Sequence, residues 1–120
     1  MTNYLNYIII AVLALFIVFR LVKNRNSQSQ ITTLIQQGKS LFLVDVRQPE
    51  EFKQGSAKGA INIPLGQIQN RIKELKGKEN IVVFCKSGMR AGQAVAILKQ
   101  NGILGVVNGG SWQNVAKAAE

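Results

Sequence analysis

Cys85 is the single cysteine among 120 residues, and the chain has no histidine. Without an imidazole there is no Ser-His-Asp or Cys-His nucleophile pair, no His-Glu-x-x-His zinc site and no histidine proton shuttle. One thiol cannot close a disulfide, and an all-cysteine zinc site needs four, so no metal or cofactor is expected. Thiol chemistry must belong to Cys85. It opens the stretch Cys85-Lys86-Ser87-Gly88-Met89-Arg90-Ala91-Gly92. A free thiol with a pKa of about 8.5 is only about 3% thiolate at pH 7, so a nucleophile needs surroundings that favour the anion. Three features here supply them. Backbone N–H groups of Lys86 to Arg90 can converge on the sulfur, a following helix adds the positive end of its dipole, and Lys86 and Arg90 add two cations. Glycine at position 88 lets the chain double back around the thiol, since it enters positive φ without steric cost. Ser87, Ala91 and Gly92 are small and are expected to keep the mouth open, and Ser87 can donate a hydrogen bond to an anion.

The elements that hold this stretch are legible on both sides of it. Ile81 to Phe84 (IVVF) reads as a buried strand, and Ala94, Val95 and Leu98 form the stripe of a helix ending at Asn101-Gly102. Upstream, Leu41 to Val46 is an apolar run broken only by Asp45, the pattern of a strand covered on both faces. Pro49 with Glu50 and Glu51 starts a short helix that stops at Gly55. Ala60 to Ile63 is a brief strand stopped by Pro64, after which Leu65, Ile68, Ile72 and Leu75 mark a helix closed by Gly77. Gly105 to Val107 adds a last strand before a closing helix from about Ser111. Strands alternating with helices imply an α/β fold, a small parallel sheet flanked by helices, with ligands at the strand C-termini. Asp45 and Arg47 are expected to fix the turn after their strand rather than enter the chemistry. Arg90 divides evenly between holding an anion and pairing with Asp45 or a glutamate, and Trp112 is expected in the core.

Hydrophobicity peaks at the start, where Ile8 to Phe19 contains no polar side chain. Tyr4 to Val22 is 19 residues, which at about 1.5 Å each reaches roughly the thickness of a bilayer core. Tyr4 and Tyr7 fit an interfacial belt, and Arg20 can snorkel into headgroups. A cleaved signal peptide lacks its basic lead-in and Ala-x-Ala-like site here, and an interfacial helix lacks a polar face. Residues 1–25 are therefore expected to be a single-pass anchor in the cell membrane and residues 26–120 the folded domain. No cation precedes the apolar run while Arg20, Lys23 and Arg25 follow it, so the domain is expected on the cytoplasmic side. Asn24 to Gln30 reads as a short polar linker that can run into the next helix, which covers Ser29 to Gln37, is capped by Ser27 or Ser29 and is stopped by Gly38. With 47% hydrophobic and 18% charged residues, one compact domain is all this length supports. The net charge of +9 fits a basic surface beside anionic lipid; no nucleic-acid-reading motif accompanies it, so no nucleic-acid partner is expected.

From roughly Ser29 to Trp112 the chain resembles the rhodanese family. Leu43-Val44-Asp45-Val46-Arg47, then Glu50 or Glu51 with Phe52 and Gly55, then Gly59-Ala60-Ile61-Asn62-Ile63-Pro64, are similar to the family's first block. Its active loop, Cys-x-x-Gly-x-Arg-Ser/Ala, is matched by Cys85, Gly88, Arg90 and Ala91, and Asn108-Gly109-Gly110 with Trp112 resembles its closing block at a shortened spacing. Gly55-Ser56-Ala57 stands where the family often has Gly-His-Ile, a departure that touches packing more than chemistry. The resemblance implies a sulfurtransferase. Cys85 would be the nucleophile that becomes a persulfide, and Lys86, Ser87, Gly88, Met89 and Arg90 the loop that binds the anion. The partners implied are an anionic sulfur donor, thiosulfate or a protein persulfide, and a thiol or cyanide acceptor. A persulfide carrier without turnover and a regulatory binding module of the same fold are the alternatives. A cysteine phosphatase or arsenate reductase is disfavoured, because those loops hold five residues between cysteine and arginine and this one holds four, Lys86 to Met89.

Overall fold

The computed structural model describes the backbone of residues 2–119 and the side chains of 3–22 and 29–119. Four strands, β1 (Phe42–Asp45), β2 (Ile61–Asn62), β3 (Ile81–Cys85) and β4 (Val107–Ser111), form one sheet in the order β2-β1-β3-β4. Every pairing is parallel. The helices are α1 (Thr2–Gln36), α2 (Pro49–Lys53), α3 (Met89–Gln100) and α4 (Trp112–Ala118). The α/β parallel-sheet architecture is thus the expected one.

Alternation along the two central strands sorts the core into two layers. Val44, Val46, Val83 and Cys85 face α3, where Ala91, Ala94 and Leu98 are buried, and the segment carrying Ile68, Ile72 and Leu75. Leu43, Val82 and Phe84 face the other way, onto Ile31 of α1, Val115 and Trp112 of α4, and Ala57. Trp112 is only partly buried, so it borders the core, packed against this layer, rather than filling it as its residue type suggests. The chain leaves β1 toward β2 on one side and returns to β3 on the other. The strand order reverses between β1 and β3, the switch point outside whose C-terminal ends lies the crevice where open α/β sheets bind ligands. Cys85 ends β3 at that crevice.

Three elements differ from expectation. Asn24 to Gln30 is helical rather than a linker, and α1 runs unbroken for 35 residues. Ser29 is inside it, its carbonyl accepting a bond from the Thr33 hydroxyl at 2.8 Å, so it caps nothing; the side chain of Ser27, like those of Lys23 and Arg25, is outside the described residues. The polar residues there have enough helix propensity to join two strong segments, one apolar and one anchored in the core by Ile31. Gly38 does end the helix. It takes φ +75°, its own N–H bonds Ile35 O and the Lys39 N–H bonds Leu34 O, each at 3.0 Å, closing a Schellman motif.

The segment Leu65 to Leu75 is two successive 3-10 turns, Leu65–Gln67 and Gln69–Glu74, not an α-helix. Its apolar spacing suits either form. Arg71 breaks the run at φ −112°, ψ 21°, and its guanidinium bonds both Glu74 and the carbonyl of Asn62. The last strand begins at Val107 and takes in Asn108, Gly109 and Gly110, so it lies later than Gly105 to Val107. Its partner register slips between Val83 and Cys85, a bulge on the β4 side.

Asn3–Val22 of α1, 20 residues with mean hydropathy 2.5, is long and apolar enough to cross a membrane, and none of it is buried against the domain. Ile31, 1% exposed, fixes the lower part of the same helix to the core.

Gly109 explains why the bulge needs glycine. A Cβ there would stand 2.6 Å from Val115 Cγ2 and 2.9 Å from Val82 Cγ1, with neither valine free to move. Gly109→Ala is expected to lower unfolding stability by roughly 1–3 kcal/mol through overpacking, read as a shift of the denaturant midpoint of the full chain in detergent.

Candidate functional site

The Cys85 sulfur is reached by one amide of its own loop. The Gly88 N–H donates to Cys85 Sγ at 3.0 Å, and among the described residues no other loop amide does so. Gly88 takes φ +95° to turn its N–H inward, and a Cβ at that position would meet the Gly110 Cα at 3.3 Å. Both facts exclude a side chain. Gly88 is also the N-cap residue of α3, so its carbonyl accepts the first helical bond from Gly92 N–H at 2.9 Å. The N–H groups of the first turn that follows have no partner within the helix.

A second bond holds that carbonyl. Asn108 Nδ2 donates to Gly88 O at 3.1 Å, while Asn108 Oδ1 accepts from the Gly110 N–H at 2.9 Å. The side chain thus ties the cysteine loop to the bulge of β4. Asn108 was visible in the sequence only as part of a Gly-Gly block; nothing in its type or spacing marks an asparagine that orients a peptide 20 residues away.

Cys85 is 1% exposed and packs among Ala91, Ala94 and Leu98. Ala91 does not line an open mouth. It belongs to the inward stripe of α3 and is fully buried in the same core cluster as Cys85, leaving Ser87 and Gly92 as the small exposed residues. Lys86 and Met89 are exposed, and Lys86 makes no hydrogen bond or ion pair among the described residues.

Arg90 is committed to a carboxylate. Its Nη1 and Nη2 donate to Glu51 Oε1 and Oε2 at 2.8 and 3.1 Å, a bidentate pair joining the start of α3 to α2. Glu51 also accepts the Gln48 N–H at 3.2 Å and so helps cap α2. The Arg90 hydrogen bonds, with help from that amide, outweigh desolvation and hold the Glu51 carboxyl down at about 2. Arg90 is raised in turn, first by Glu51 and less by the charges of Cys85 and Asp45.

Across the crevice, Asp45 and Arg47 form a second bidentate pair, here almost fully buried. Asp45 accepts from the Arg47 backbone N–H at 2.9 Å, from its guanidinium at 2.7–3.0 Å and from the Ser56 hydroxyl at 2.8 Å. Arg47 Nη2 donates to Gly55 O at 2.6 Å, and its guanidinium stacks 5.1 Å from the Trp112 ring centre. A buried pair needs its polar atoms partnered, and among the described residues no buried side-chain nitrogen or oxygen lacks a hydrogen bond. Gly55 lies against the edge of the Trp112 indole, where a Cβ would meet Cη2 at 3.4 Å. The network shapes the turn after β1 and does not touch the sulfur.

Comparison with known proteins gives a consistent result. The family model described as the rhodanese-like domain matches residues 27–117. The uncharacterised protein YqhL of Bacillus subtilis is 31% identical over 108 residues, covering 86% of each chain. Thiosulfate sulfurtransferase PspE of Escherichia coli is 39% identical over 75 residues, 61% of this chain and 72% of that one. Among solved structures, a rhodanese with anions from E. coli superposes with a TM-score of 0.58 at 37% identity, covering 64% of this chain and 93% of the other.

Two outcomes test the site's construction. Asn108→Ala is expected to loosen the Gly88 peptide and slow alkylation of Cys85 by iodoacetamide at pH 7 roughly fivefold, the equivalent of one hydrogen bond of about 1 kcal/mol. For Glu51, the folded carboxyl is lowered from 4.5 to about 2, so its pairing stabilises the fold above pH 4.5 and that contribution fades as pH falls toward 2. Wild type and Glu51→Gln are therefore expected to differ in unfolding midpoint near neutrality, by no more than roughly 1 kcal/mol for a pair this exposed, and to converge near pH 2.

Proposed function

The chain belongs to the rhodanese-like domain family, and from that membership we propose that it is a membrane-anchored sulfurtransferase working through a persulfide on Cys85. The observation that carries this reading is the Gly88 N–H aimed at Cys85 Sγ, a contact that an inert buried cysteine does not need. In the first half-reaction the Cys85 thiolate attacks the outer sulfur of a donor such as thiosulfate. A new S–S bond forms, the old one breaks, and sulfite leaves with its electron pair. In the second, cyanide or a thiolate attacks the same sulfur and the Cys85 thiolate departs. No net oxidation occurs at the enzyme.

The outer sulfur of the persulfide stands about 2.05 Å beyond Sγ, among the peptides of Ser87 to Arg90, and the unpartnered amides that begin α3 suit an anion there. Ser87 and Lys86 are free to meet the donor, whereas Arg90, held by Glu51, acts on the loop through position and charge. Asp45 and Arg47 keep the crevice in shape. Residues 1–25 act as the anchor and residues 26–120 as the domain, on the side of the membrane marked by Arg20, Lys23 and Arg25.

Full-length protein in detergent is expected to gain roughly 32 Da on Cys85 after thiosulfate treatment, one sulfane sulfur, and to convert cyanide to thiocyanate. Cys85→Ser should abolish both. Stoichiometric persulfide without turnover would move the reading to a sulfur carrier, and absence of the adduct would overturn both.

A further inference from the structure

Resting on the sulfurtransferase reading, we propose that the sulfur acceptor is an amphiphilic thiol that enters from the bilayer interface, its chain lying against the membrane helix and its sulfur at the Cys85 loop. A cavity of about 690 Å³ carries this inference. One wall is the end of the apolar segment, Ile17, Arg20 and Leu21, and the facing wall includes Ser87, Gly88 and Met89 of the cysteine loop.

The placement follows from α1 being one continuous helix. Ile17 precedes Ile31 by 14 residues, close to four turns, so both share a face, and about 21 Å of helix axis separates them. Ile31 is buried in the core, and α1 packs on β4 and α4. The face that docks the domain therefore continues upward to present Ile17 and Leu21 beside the cysteine loop. Because the apolar span ends at Val22, those two residues are in its last turns. The cavity is thereby held at headgroup depth, with Met89, 69% exposed, at its edge.

A small hydrophilic acceptor has no use for such a wall. An alkyl chain gains from it, and each methylene taken from water favours binding by a factor of about four when fully buried. Arg20 adds a cation to the same cavity. That charge suits both a thiolate acceptor and the persulfide it becomes. The transfer balances: the acceptor thiolate forms an S–S bond to the sulfane sulfur, the bond to Cys85 Sγ breaks, and the Cys85 thiolate is regenerated.

The test uses the full chain in nanodiscs with thiosulfate as donor and ω-mercaptoalkanoates of rising chain length as acceptors. Wild type is expected to gain at least tenfold in kcat/KM from the shortest to the longest acceptor. An Ile17→Ser, Leu21→Ser double variant in identical discs should lose most of that gain; partition into the lipid is the same for both proteins, so the loss isolates the cavity wall. An equal gain in both proteins, or none in wild type, overturns the inference while thiocyanate formation from cyanide leaves the sulfurtransferase reading standing. Failure of thiocyanate formation and of the persulfide adduct overturns the two together.

Discussion

A sulfur atom clustered with Ala91, Ala94 and Leu98 has little around it to favour a negative charge besides the charge of Arg90 and the peptide that turns back over it. The Gly88 N–H at 3.0 Å is that peptide. Its direction depends on a positive φ that glycine adopts without strain, on the approach of Gly110, and on the carbonyl of the same residue being held by Asn108 and by the first bond of α3. The loop is thus tied at Gly88 through both of the peptides that flank its Cα. Apolar packing supplies position and dryness, and the dry surroundings strengthen whatever dipoles are aimed at the sulfur.

Two ion pairs at the C-terminal ends of β1 and β3 do different work. Asp45 and Arg47 are sealed in, and their cost of desolvation is met by bonds to Ser56, Gly55 and the backbone, so they fix the turn after β1. Glu51 and Arg90 are about one third exposed and bind α2 to the start of α3. An arginine two residues after Gly88 thereby becomes part of the wall of the loop.

Apolar runs and a period-3.6 stripe made β1, β3 and α3 readable, because burial on both faces of a parallel sheet leaves runs such as Ile81 to Phe84 with little ambiguity. The stop at Gly38 and the start of α4 near Ser111, whose hydroxyl accepts the Asn114 N–H at 3.2 Å, were readable for local reasons of the same kind. The 3-10 turns were not, since Ile68, Ile72 and Leu75 satisfy either helix and the break at Arg71 leaves no mark in the apolar spacing. Asn24 to Gln30 misled because a polar run is judged as a linker unless something at both ends holds it helical. At the site, Cys85, Gly88 and the glutamate partner of Arg90 could be anticipated, whereas the bond from Asn108 depends on the bulge of β4, which no local pattern announces.

The loop's relation to its sulfur is tested most directly by amide NMR of the full chain in detergent micelles, before and after thiosulfate loading. An anionic outer sulfur among the loop peptides predicts downfield proton shifts for Ser87, Gly88, Met89 and Arg90 amides, reversed when cyanide removes the sulfur and absent in Cys85→Ser. Loop amide resonances that stay in place while Cys85 carries the added sulfur would contradict the account.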